Sequence, residues 1–124
     1  MLAVDDDPDT LEFLCFVLER EGALVTCVDR SELALARLTS ASPASRPNVL
    51  ISDLAMPKKD GAWLIREVRS LPADKGGMVP ALALTAYTSQ ATADQLTEAG
   101  FQMRLTKPMD PVALVEAVRA LAGF

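Results

Sequence analysis

Short apolar runs alternate along the chain with longer stretches in which apolar residues recur every three or four positions. The runs are Leu2-Ala3-Val4, Leu24-Val25-Thr26-Cys27-Val28, Val49-Leu50-Ile51, Ala81-Leu82-Ala83-Leu84 and Met103-Arg104-Leu105. Runs this short and this apolar predict strands covered on both faces, as in parallel sheets. The stretches between them predict helices. The first has Asp7 as its cap and Pro8 at its first position, with Leu11, Leu14, Cys15 and Leu18 on one face and Gly22 as its stop. A second starts near Ser31 and carries Leu35 and Leu38, before a Ser/Ala/Pro-rich loop over 39–47. A third runs from Ala62 to Ser70 behind Asp60-Gly61, with Trp63, Leu64 and Val68 for packing, and a loop follows over 72–77. A fourth spans Ser89 to Ala99 and stops at Gly100. The fifth opens with Asp110 and Pro111 and repeats Leu114, Val118 and Leu121 at helical spacing.

Strand and helix in strict alternation predict βα units wound about a parallel sheet, with helices on both faces. Such sheets bind ligands beyond the carboxyl ends of their strands. The residues there are polar: Asp5-Asp6-Asp7 after the first run, Asp53 after the third, Thr85-Ala86 after the fourth and Thr106-Lys107-Pro108 after the fifth. Asp7 before Pro8 is explained as a helix cap; Asp5 and Asp6 are not. If the first and third strands are neighbours, about 4.8 Å apart, Asp5, Asp6 and Asp53 crowd into one space. Like charges that close need a positive partner. Lys107 is one candidate, and a hard divalent cation such as magnesium, which takes oxygen ligands, is another.

Composition narrows the function classes. The 124 residues hold 12 Lys and Arg against 17 Asp and Glu, for a net charge of -5, so a phosphate-tracking nucleic-acid surface is not expected. The length suits a single domain over 1–124. No run of about 18 apolar residues marks a membrane span, and the expected location is cytoplasmic without membrane contact. Histidine is absent, which removes His-based acid/base work. Cys15 and Cys27, without Cys-x-x-Cys spacing, are expected to be reduced core thiols.

Four segments, VDDDPD at 4–9, NVLISDLAMPKKDG at 48–61, PALALTAYT at 80–88 and AGFQMRLTKPMDP at 99–111, together resemble the receiver domains of two-component response regulators. The later segments look most like receivers at the C-terminal end of hybrid histidine kinases. The resemblance covers nearly the whole chain. It implies a flavodoxin-like doubly wound α/β fold, with five parallel strands in the order 2-1-3-4-5 and five helices. It also implies that Asp53 accepts a phosphoryl group from a histidine kinase or phosphotransfer domain and loses it slowly. Asp5, Asp6, Asp53 and the backbone carbonyl of Ala55 would hold magnesium or manganese. Thr85, the N–H of Ala86 and Lys107 would bind the phosphoryl oxygens, and the peptide before Pro108 would be cis. Thr85 and position 104 would form the switch, where Arg104 stands in place of the usual aromatic. A homodimer through the fourth helix, fifth strand and fifth helix is a family possibility.

Competing functions are weaker on the residues. Phosphohydrolases of the haloacid dehalogenase family carry an acid two residues after the nucleophile, and Ala55 stands there. No Gly-x-Gly-x-x-Gly follows the first strand, so a dinucleotide or flavodoxin-like cofactor module is not indicated. A receiver acting only as a docking domain would not need the full set of acids, threonine and lysine.

Overall fold

Three helices begin on an aspartate because the first N–H groups of a helix lack intrahelical acceptors, and a carboxylate at the cap supplies one. Asp7 accepts from the N–H of Asp9, Asp60 from that of Trp63 and Asp110 from that of Ala113. The structure, a computed structural model, describes residues 1–42, 44–86 and 90–123, and for 90–92 the backbone alone. Its strands are β1 (Leu2–Val4), β2 (Thr26–Val28), β3 (Leu50–Asp53), β4 (Ala81–Thr85) and β5 (Met103–Thr106). Its helices are α1 (Pro8–Arg20), α2 (Ser31–Ser40), α3 (Gly61–Arg69), α4 (Gln90–Ala99) and α5 (Pro111–Ala122).

The strands form one parallel sheet in the order β2-β1-β3-β4-β5, as expected. Because strand side chains alternate between faces, each short strand feeds two cores. Leu2, Val4, Leu50, Ala81 and Ala83 pack with Leu38, Leu64, Ile65 and Val68 of α2 and α3. Ala3, Ile51, Leu82 and Leu84 pack on the other face with Leu14 and Leu18 of α1 and Leu114 and Val118 of α5. Strands buried on both sides are held rigidly. Their carboxyl ends are therefore fixed points from which loops can present side chains.

The boundaries differ in places. The second strand is three residues long rather than five, because its ladder extends only along Leu2–Val4 of β1. Leu24 is 91% exposed and lies outside it. Helix α2 continues to Ser40, past the expected break at Thr39, and the loop over 72–77 contains a short 3-10 turn, Ala73–Lys75. The expected start of the fourth helix at Ser89, and Tyr87 and Thr88, lie outside the described residues. Gly22 and Gly100 take the positive φ of helix stops, 89° and 123°.

The cysteines are not two separate thiols. Cys15 of α1 and Cys27 of β2 are joined in a disulfide, with α-carbons 7.0 Å apart. The expectation failed because it looked for local spacing. Helix α1 lies across β1 and β2, so positions 12 apart in sequence meet in space.

Candidate functional site

The register of the sheet decides which strand ends meet. Val4 pairs with Ser52, so the next residues, Asp5 and Asp53, emerge side by side. Asp53 pairs with Leu84, which sets Thr85 one step further out, and Thr85 pairs with Thr106, which precedes Lys107. The N–H of Lys107 donates to the carbonyl of Thr85 at 2.8 Å and continues the ladder past the strand.

Asp5 is fully buried, Asp53 and Thr85 are each 3% exposed, and Asp6 is exposed. Asp5, Asp6 and Asp53 each offer a carboxylate oxygen within 4.8 Å of the others. Lys107 joins two of them: its Nζ donates to Asp5 Oδ2 at 2.9 Å and lies 3.2 Å from Asp53 Oδ1. Backbone donors finish the arrangement. The N–H of Asp7 donates to Asp5 Oδ1 at 2.9 Å, and the N–H of Ala55 donates to Asp53 Oδ1 at 3.3 Å.

Two carboxylates thus share one ammonium, with the third, Asp6, beside them. Burial, and then the charge of Asp5, pushes the Asp53 carboxyl up to about 6 against the pull of Lys107. Burial alone would lower the Lys107 ammonium, but its hydrogen bond and charge attraction to Asp5, reinforced by Asp53, raise it. A cluster with excess negative charge and only oxygen donors fits a small hard divalent cation.

All the expected residues near Asp53 reach this edge. Ala86 follows Thr85 in an exposed bend, and Ala55 lies two residues beyond Asp53 in the β3–α3 loop. The peptide between Lys107 and Pro108 is cis. Arg104 is half-buried on β5, opposite Ala83.

Sequence reasoning missed two residues that hold the β3–α3 loop. The hydroxyl of Ser31, fully buried at the start of α2, donates to the carbonyl of Lys59 at 2.9 Å and approaches that of Asp60 at 3.3 Å. A serine opening a helix reads as a cap, so nothing in the sequence pointed across to a loop 28 residues away. In the sequence, Gly61 stands only as the residue before the third helix. A β-carbon there would run into the backbone carbonyl of Asp53 and lie 2.9 Å from the α-carbon of Leu54, so the loop closes onto β3 only with glycine.

Comparison with known proteins agrees with this geometry. Residues 1–119 match the family described as the response regulator receiver domain. An uncharacterized 14.6 kDa protein of Leptolyngbya boryana is 45% identical over 119 residues, covering 96% of this chain and 86% of that protein. The transcriptional regulatory protein GlrR of Escherichia coli is 35% identical over 95% of this chain, which spans only 25% of that longer protein. Among solved structures, the receiver domain of a Pseudomonas aeruginosa sensor histidine kinase, with magnesium coordinated in its active-site cleft, superposes with a TM-score of 0.85. It shares 27% identity, over 99% of this chain and 96% of that one.

Proposed function

The chain belongs to the response regulator receiver family, whose members are phosphoacceptor signalling domains, and we propose that Asp53 is the acceptor and Lys107 its charge partner. The observation that carries this reading is the Lys107 ammonium held between Asp5 and Asp53 at the carboxyl edge of the sheet, beside Thr85. A carboxylate oxygen of Asp53 attacks the phosphorus of a phosphohistidine. The phosphorus–nitrogen bond breaks, the imidazole leaves with the bonding pair and takes up a proton, and Asp53 becomes an acyl phosphate. The donor is a histidine kinase or a phosphotransfer domain. Lys107 neutralises charge on the transferred group, while the Thr85 hydroxyl and the Ala86 N–H donate to its remaining oxygens. Water later cleaves the acyl phosphate slowly, returning phosphate.

Asp5, Asp6, Asp53 and the carbonyl of Ala55 are the residues that would hold the metal, magnesium or manganese. When bound, the cation supplies positive charge to the phosphoryl oxygens. Thr85 and Arg104 take the switch positions. A homodimer across α4, β5 and α5 completes this reading, supported by exposed apolar Met103 on β5 and Val112 on α5. A hydrolase reading lacks support, because Ala55 offers no acid two residues after Asp53.

Acetyl phosphate tests the assignment without a kinase. Intact mass is expected to rise by one phosphoryl group in magnesium and not in EDTA, and Asp53→Asn is expected to take up none. A phosphorylated Asp53→Asn protein overturns the assignment.

A further inference from the structure

The phosphoacceptor site leaves unused the covalent link between α1 and β2. We propose that Cys15 and Cys27 are a reversible thiol–disulfide pair, a redox modification site that staples α1 to the edge of the sheet or releases it. Three observations carry this. The two sulfurs meet although the residues lie on different elements, with α-carbons 7.0 Å apart, at the upper limit of what the bond spans. Among the described residues, strand β2 has a neighbour only on its β1 side, so Cys27 sits at the sheet's rim rather than in its middle. Both cysteines are half-buried rather than enclosed in the core.

The link matters because of what it connects. Cys27 pairs in register with Ala3, in the middle of the strand that leads into Asp5. Helix α1 is tied at its other end to the same acid, through the Asp7 N–H on Asp5 Oδ1. Closing the bridge fixes the middle of α1 to the sheet, while the Asp7 contact fixes its start.

The oxidant is a low-molecular-weight disulfide of the glutathione class. One cysteine, as thiolate, attacks a sulfur of that disulfide, giving a mixed disulfide and one small thiolate. The second cysteine, as thiolate, then attacks the protein-bound sulfur and expels the other small thiolate. The two cysteines lose two electrons and two protons in all, and the small disulfide is reduced to two thiols. Excess dithiothreitol reverses the exchange.

The test treats the intact chain with oxidised glutathione or with dithiothreitol. It then alkylates the denatured protein with iodoacetamide and measures its mass and non-reducing peptide map. The oxidised sample is expected to take up no label and to show the Cys15 and Cys27 peptides linked within one chain; the reduced sample takes up two labels. Reduction is expected to lower the melting temperature by about 10 °C. Cys15→Ser and Cys27→Ser are each expected to melt like the reduced parent; with oxidised glutathione the remaining cysteine can form only a mixed disulfide, which dithiothreitol removes, and no link within the chain. Two labels on the parent after oxidation, links only between chains, stable glutathione adducts on the parent, or the same fall in melting temperature on reduction in the serine variants overturns the proposal. None of these readouts uses phosphorylation, so the pair and the acceptor stand or fall separately.

Discussion

Asp53 is built to be uncomfortable without a metal. Its proton is held more tightly in the folded chain than in the unfolded one, since burial and Asp5 raise its carboxyl from 3.8 to about 6. The stability this protonation contributes is complete below the unfolded value and is lost as pH rises through the folded one. In EDTA, Asp53→Asn, which cannot titrate there, is therefore expected to gain on the parent by about 2 kcal/mol between pH 4 and pH 7. Urea unfolding at the two pH values measures this, and parallel curves for parent and variant would remove Asp53 as the source. The acids themselves were legible in the sequence, because each follows an apolar run that had to be a strand. What was not legible is which oxygen Lys107 contacts, since that depends on side-chain reach across β1 and β3 rather than on residue order.

At the scale of elements, the β3–α3 loop is held from outside its own sequence. Gly61 lets it close on β3, and Ser31 ties it to the start of α2. Removing the Ser31 hydroxyl takes this donor from the Lys59 carbonyl and leaves a buried position unfilled, while the Asp60 carbonyl keeps the N–H of Leu64. Ser31→Ala is expected to lower stability by about 1–2 kcal/mol. It is also expected to slow phosphorylation by acetyl phosphate, because Ala55 belongs to the loop it anchors and that loop starts directly after Asp53. Stopped assays of phosphoryl incorporation, run beside denaturant unfolding, separate the two effects; an unchanged rate would show that the loop keeps its shape without the tether. The helices were readable because Asp-Pro and Asp-Gly pairs punctuate them and their apolar faces repeat. The edge strand was not, because apolar residues at 24 and 25 resemble a strand until the length of its neighbour β1 limits the pairing.

Taken whole, the molecule is a sheet whose chemistry lies along one edge and whose outer strand, β5, leaves one side unpaired among the described elements. Met103 is 37% exposed and Val112 62%, both on the side proposed for self-association. Light scattering of the acetyl phosphate-treated protein is expected to show a dimer that is absent in EDTA, and a monomer under both conditions would remove that face as an interface. The βα order made the architecture legible from the chain alone. The Cys15–Cys27 link was not, because only the winding of α1 over β2 brings the sulfurs together. That same winding has a consequence for biosynthesis. Asp5 and Lys107 touch across 102 residues, so the acid gains its cation only after the whole segment between them has been made. Closing so long a loop comes late in folding. A nascent chain that stops short of Lys107 therefore lacks the counter-charge that Asp5 and Asp53 share in the finished fold.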